Sequence, residues 1–304
     1  MINLNRFDLV SLRLFVAVVD RGSLTAGADR FGISLAAASK RMGELEHHCG
    51  VTLLQRGQRG VTATADGQTL HRHAIEVIAR LEQMAQAVDD LQSGATGHLR
   101  LWANPSAFAG FLPEVLERYA ERYPKVRMDL EDALSEDGIR AVQKGVAELA
   151  VVGDNVPCEG LETFVCNVDQ LVLLVQRDHR FARLPSVATQ VALREDLVTL
   201  ARSASLTRKV VAAAEAVGCD VRIRVQVRSF DSMCRMVACG LGIAILPRAA
   251  AALYSEALGL SVIGLEGMEV DRRLLLSMRR RTELSSAAMA LVELMEAVPA
   301  APQA

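Results

Sequence analysis

At 304 residues the chain is long enough for two or three domains. Hydrophobic residues make up 51% of it, aromatic residues only 4%, and the charges nearly cancel at −2, a globular profile that excludes general disorder. No apolar run reaches the length of a membrane span, and Met1 to Arg6 lack the regions of a secretory signal, so a cytoplasmic location is expected.

The six cysteines form no C-x-x-C pair. They are expected to be reduced, mostly buried small hydrophobes; a redox pair of Cys158 with Cys166 is the alternative, without support in the flanking residues. Residues 1–60 carry eight Lys and Arg against five acids, so a mildly basic N-terminal module sits on a slightly acidic body. That permits nucleic-acid binding without deciding it.

Leu9, Leu12, Phe15, Val16 and Val19 recur at helical spacing, which predicts an amphipathic helix over 8–20. Arg21-Gly22 ends it, and Ser23 is placed to cap a short second helix, Leu24 to Phe31, whose Ala26, Gly27 and Ala28 allow close approach of another helix. After Gly32, Ser34 is a second candidate cap, for a helix from Leu35 to about His48 that buries Ala38, Met42 and Leu45. Ser34, Leu35, Ala36, Ser39, Lys40 and Arg41 then lie toward its exposed start. Two helices joined by a short glycine turn form a helix-turn-helix, whose second helix enters the major groove start first. Small side chains there let the backbone approach DNA, while Ser and Lys reach base edges and phosphates. Val51–Gln55 and Val61–Ala65 read as a hairpin that presents Arg56 and Arg59 to phosphates or the minor groove. A surface αα-hairpin followed by a solvated turn has the same local features.

Over residues 7–70 the chain resembles the winged helix-turn-helix domain of LysR-type transcriptional regulators. The resemblance rests on Leu12, Phe15, Val18, Gly22-Ser23, Thr25, Ala28, Phe31, Ile33-Ser34, Ser39, Leu45-Glu46, Gly50-Val51, Leu53, Arg56, Arg59-Gly60-Val61, Thr64 and Gly67, in register without a gap from Gly22 to Gly67. The departures are Leu35 and Ala36, where the family usually has Gln followed by Pro or Ser, Gly27 for Ala, and Leu54 for Phe. Without the glutamine a bidentate adenine reader is missing.

From Asp66 to about Ser93, Leu70, Ile75, Ile78, Leu81, Met84, Val88 and Leu91 recur at helical spacing with no glycine between Gly67 and Gly94. This predicts one helix of about 40 Å. It either forms a coiled-coil-like dimer seam or lies on its own body; the resemblance implies the dimer. Ser93 to Gly97 is a hinge. Beyond it strands are expected at 98–103, 148–153, 170–176, 196–200, 222–227 and 242–246. Helices are expected at about 108–122, 136–145, 207–217, 231–239 and 285–298, giving an α/β fold with largely parallel sheets.

Gly97 to Leu101, Leu112-Pro113 to Tyr123-Pro124 and Gly240 to Pro247 extend the resemblance to the family's effector-binding domain, which has the two-subdomain fold of periplasmic solute-binding proteins (type 2). The domain organisation it implies is a winged helix-turn-helix domain at 1–65, a linker helix at 66–93 and an effector domain at 94–304. Within the last, residues 97–155 and 266–304 form one subdomain and 156–265 the other, joined by two crossing strands around a cleft.

Ligands of open α/β sheets bind beyond the carboxyl ends of strands, near helix N-termini. Asn104 to Ala107, Ser135, Arg202 to Ser205 and Ser229-Phe230 satisfy that rule. Ser106, Ser203 and Ser205 are candidate donors to an anionic effector, with Arg202 as its cation. The serines are equally readable as plain helix caps and Arg202 as a solvated loop residue. There is no nucleophile elbow, P-loop, dinucleotide fingerprint or spaced His/acid cluster, so no enzyme activity, cofactor or metal is expected. The whole reads as a transcriptional regulator that binds double-stranded promoter DNA and a small-molecule effector as a homodimer or homotetramer, away from membranes. A solute-binding protein without a DNA role and a ligand-independent regulator are the alternatives.

Overall fold

The computed structural model describes residues 7–57, 60–93, 97–267 and 271–297. The chain divides into two units, Met1–Val88 and Asp89–Ala304.

In the first unit α1 (Leu9–Arg21) starts on Asp8, whose carboxylate accepts the Ser11 amide at 2.8 Å. Helix α2 (Leu24–Arg30) starts on Ser23, and α3 (Leu35–Cys49) starts on Ser34; each hydroxyl accepts an amide three residues on, at Ala26 and Ala37. A Cβ on Gly27 would lie 2.5 Å from Val18 Cγ2, so α1 and α2 meet at near-backbone distance. Leu14, Phe15, Val18, Ala28, Ala38, Met42, Leu45 and Leu53 fill the core between them.

The hairpin is shorter than expected and lies nearer its tip: β1 (Leu54–Gly57) pairs antiparallel with β2 (Gly60–Ala63). Its base is occupied otherwise. The Glu46 carboxylate on α3 accepts the Leu53 and Leu54 amides at 2.8 and 3.0 Å, and Thr64 turns the chain into the next helix by accepting the Gly67 amide at 2.9 Å. That helix, α4 (Ala65–Ser93), runs 29 residues. Ala74 is buried in the core of the unit with Leu70 and Ile78 packed against it.

In the second unit β3 (His98–Ala103) pairs parallel with β4 (Arg127–Asp132) and β5 (Leu149–Gly153). Between β3 and β4 the expected single helix is two, α5 (Pro105–Ala109) and α6 (Leu112–Arg122), interrupted at Gly110, whose dihedrals (φ −112°, ψ −117°) are not helical. Helix α7 (Ser135–Lys144) precedes β5. Then β6 (Glu162–Gln176) runs 15 residues, more than twice its expected length. Its first half pairs with β12 (Asp271–Met278), and its second half with β11 (Leu260–Glu266) and β10 (Ala244–Pro247). The strand therefore passes from one lobe to the other, and β12 brings the chain back.

The second lobe also holds β7 (Ser186–Ala188), α8 (Thr189–Ala192), β8 (Asp196–Leu200), α9 (Ser205–Ala216), β9 (Arg222–Val227), α10 (Phe230–Ala238) and α11 (Arg248–Ser255). In the first lobe α12 (Ser286–Ala297) packs with α6, locked by the buried Tyr119 hydroxyl donating to the Ala287 carbonyl at 2.7 Å. The sheets are mixed, not largely parallel. Strands β3–β4, β3–β5, β8–β9 and β7–β11 are parallel, whereas every pairing of β6 and β12 is antiparallel because those strands carry the chain out and back. Each lobe has its own core, around Leu101, Leu116 and Leu276 in the first and around Leu173, Leu197 and Ile245 in the second.

Candidate functional site

The first turn of α3 and the hairpin face a common groove, lined by Ser23, Leu24, Thr25, Leu35, Ala36, Ser39, Gly57, Gly60 and Val61. Ser34, Leu35, Ala36 and Lys40 are exposed, Ser39 is half-buried, and Ala38, Met42 and Leu45 point into the core as the helical spacing predicts. The Lys40 ammonium is largely in solvent, 3.8 Å from Glu44 one turn on. Arg41 instead ties α3 to α1, donating to Ser11 Oγ at 3.3 Å and to the Asp8 carboxylate at 3.4 Å. Burial raises the Asp8 carboxyl, but the Ser11 hydrogen bonds and Arg41 outweigh it and hold the group below the usual carboxylate range. Arg56 lies on β1 with its backbone opposite Val61; its side chain, like all of Arg59, lies outside the described residues.

In the second unit serines from two helix starts meet at one arginine that the sequence pattern does not reveal, and a serine from a third joins them through Ser205. The Arg272 guanidinium donates to Ser106 Oγ of α5 at 2.7 Å and to Ser205 Oγ of α9 at 2.6 Å. Ser135 Oγ of α7 lies 3.4 Å from Ser205 Oγ and accepts the Gly153 amide at 3.1 Å. Asn104 caps α5 through the Ala107 amide and turns its own amide toward Ser135 at 3.4 Å. Asp169, on β6, faces Arg272 at 3.7 Å and accepts from Asn167 at 3.2 Å. The contacts cross between lobes: Asn155 donates to the Ser205 carbonyl at 2.8 Å, and Arg208 of α9 pairs with Glu136 of α7.

Burial dominates the electrostatics here. It drives the Asp169 carboxyl up to about 6, against the opposing pull of Arg272 and Asn167, and it lowers the Arg272 guanidinium. The Arg272 head is packed in place: a Cβ on Gly153 would lie 3.0 Å from its terminal nitrogen and 2.8 Å from Ser205 Oγ.

The expected effector residues thus separate into two sets. Asn104, Ser106, Ser135 and Ser205 come together, all buried, and none of the three serines is a helix cap; α7 and α9 begin on Leu134 and Ala204. Arg202, Ser203, Ser229 and Phe230 do not join them. Arg202 and Ser203 are exposed, and Arg202 lines a separate groove of about 510 Å³ with Thr207, Val211 and Ile223. Ser229 is the plain cap, accepting the Ser232 amide at 3.2 Å, and Phe230 is in the core of the second lobe. The cation of the cluster is Arg272, not Arg202.

Cys158 and Cys166 are free thiols, so the alternative redox pair is not formed. Cys158 donates to the Val156 carbonyl and Cys166 to the Leu274 carbonyl, each at 3.4 Å, and burial pushes both thiols up, away from the reactive thiolate. Among the described residues no group of three or more His, Cys, Asp or Glu is placed to hold a metal ion, and no helix is long and apolar enough to cross a membrane.

A helix-turn-helix with a hairpin wing, on one chain with a two-lobed α/β domain, defines a DNA-binding regulator with a ligand-type domain. Two family models match: the bacterial regulatory helix-turn-helix of the lysR family over residues 9–68, and the LysR substrate binding domain over residues 92–300. The chain belongs to the LysR family of transcriptional regulators. It is 30% identical over 286 residues to the HTH-type transcriptional regulator YfeR of Shigella flexneri, covering 94% of this chain and 92% of that one. It is 26% identical over 276 residues to a probable RuBisCO transcriptional regulator of Cyanidioschyzon merolae, covering 88% and 90% of the two. The fold matches full-length CbnR in complex with its target DNA at a TM-score of 0.78 and 18% identity, over 96% of this chain and 99% of that one.

Proposed function

We propose that this regulator is a cytoplasmic, non-catalytic protein that binds a partly palindromic promoter site as a homodimer or dimer of dimers and answers to a small molecule held between its two lobes. In this reading residues 1–65 bind DNA, 66–93 dimerise and 94–304 sense the effector, with 97–155 and 266–304 as one lobe and 156–265 as the other. The start of α3 enters the major groove; Ser34, Leu35, Ala36, Ser39 and Lys40 face the bases and backbone, and Arg56 and Arg59 meet flanking phosphates or the minor groove. Arg41 serves by bracing α3 on α1.

One observation carries the DNA half: the start of α3 and the wing leave an open groove beside a solvent-facing lysine. The solved complex of CbnR with target DNA, on the same fold, supports it. For dimerisation the support is α4, where Val77 and Met84 lie seven residues apart and are 45% and 60% exposed. For the effector it is the buried cluster of Asn104, Ser106, Ser135 and Ser205 on Arg272. A bound molecule there shifts the population of two lobe or dimer arrangements.

A ligand-independent regulator is the second reading, favoured by the Arg272 head, which already fills the space in front of Gly153. A thermal-shift screen of small metabolites on the full chain separates the two. A stabilising hit that also changes the affinity for a selected promoter duplex supports the effector reading, with carboxylates expected to lead. A blank screen supports the second.

A further inference from the structure

The start of α3 is chemically unusual for a surface that reads bases. Leu35 is 49% exposed, Ala36 and Ala37 are exposed beside it, and none of these side chains carries a donor or acceptor. The adjacent Ser34 Oγ caps the helix by accepting the Ala37 amide at 3.2 Å. Polar side chains resume only at Ser39 and Lys40, a full turn later. Leu35 and Ala36 also line the groove shared with the wing, where Leu24, Gly57, Gly60 and Val61 add apolar or featureless surface and Ser23, Thr25 and Ser39 supply its hydroxyls.

In the major groove only thymine presents a methyl group, beside its O4 acceptor; an apolar side chain gains contact with that methyl and strips water from the donors and acceptors of the other bases without replacing it. We propose that Leu35, with Ala36 beside it, reads the C5 methyl of one thymine in each half-site, so that this base is chosen by apolar contact and by exclusion of polar edges. The assignment rests on the reading that α3 enters the major groove. It makes Leu35 a specificity-determining residue whose loss changes which base is preferred rather than how strongly the backbone is held.

The test starts with duplexes selected from a random-sequence pool by the full-length protein. Each thymine of the enriched half-site is then replaced singly by deoxyuracil, which removes only the methyl. At one position the wild type should lose affinity by about fourfold, the effect of one buried methyl. Leu35→Ala should bind thymine and deoxyuracil equally there, with its salt dependence unchanged because no phosphate contact is lost. Leu35→Gln, which supplies a bidentate partner for adenine, should move the selected base at that position toward adenine. Leu35 lies outside the core, and equal thermal melts of the variants check that they fold. Deoxyuracil that is neutral at every position, or a methyl effect that survives in Leu35→Ala, overturns the proposal. A pool that yields no enriched sequence overturns the groove reading itself, and the assignment falls with it.

Discussion

Arg272 and Asp169 are cross-strand partners on the two strands that join the lobes, with guanidinium and carboxylate 3.7 Å apart and both side chains buried. The arginine extends from that hinge to a serine of each lobe, Ser106 and Ser205. One residue thus couples the strand crossing to both walls of the cleft.

Removing one partner leaves the other charge buried without compensation. Arg272→Met should therefore lower the unfolding free energy of the effector domain by about 3–5 kcal/mol, whereas Arg272→Met combined with Asp169→Leu should recover most of that loss. Urea unfolding of the four proteins of the cycle measures it. Equal losses in the single and double variants would show that Arg272 acts through its serine contacts alone.

The same pair sets a pH dependence. The folded carboxyl of Asp169 is raised to about 6 from an ordinary 3.8, so between roughly pH 4 and 6 the folded state binds the proton that the unfolded chain releases. The contribution of this group to stability is greatest below about pH 4 and is lost as pH rises through about 6. Asp169→Asn should remove that component, so the difference between variant and wild-type stability should shift in the variant's favour from pH 4 to about 7 and level off above, whatever its offset from the loss of the Arg272 partner. Melting curves across this range, with the difference between the two proteins as readout, check the sign.

In the first unit Glu46 holds the wing to α3 through two amides, those of Leu53 and Leu54. Glu46→Ala should cost about 1–3 kcal/mol locally. Hydrogen exchange should show the Leu53 and Leu54 amides losing protection while the α1 amides around Leu14 and Phe15 keep theirs. Unchanged protection at the wing would mean that the hairpin is held by its packing on the helices instead.

The helix-turn-helix was legible because its signals are local. Ser23 and Ser34 cap, Gly22 and Gly50 close, and Ala38, Met42 and Leu45 repeat at helical spacing, all within a few residues of one another. The lobes were less so. Strand β4, Arg127–Asp132, is mostly exposed and polar, and hides among charged residues. Arg272 sits in the charged run Asp271-Arg272-Arg273. Its one visible signal was parity: Arg272 alternates in step with the buried Leu274 and Leu276. Arg202 lies apart from the cluster, although a loop cation beside two serines reads as an anion site, because the neighbours of Ser205 come from Ser135, Asn155 and Arg272, far away in the chain.

Sequence-specific DNA binding through the start of α3 underlies the whole reading of this regulator. The most direct test is selection of duplexes from a random pool by the full-length protein, followed by anisotropy titrations of the enriched duplex with wild type and Lys40→Ala at several salt concentrations. Two enriched half-sites related by a dyad are expected, with a weaker Lys40→Ala complex whose salt slope is shallower by about one. No enriched sequence, or an enriched one bound by Lys40→Ala with the same affinity and slope as wild type, would contradict it.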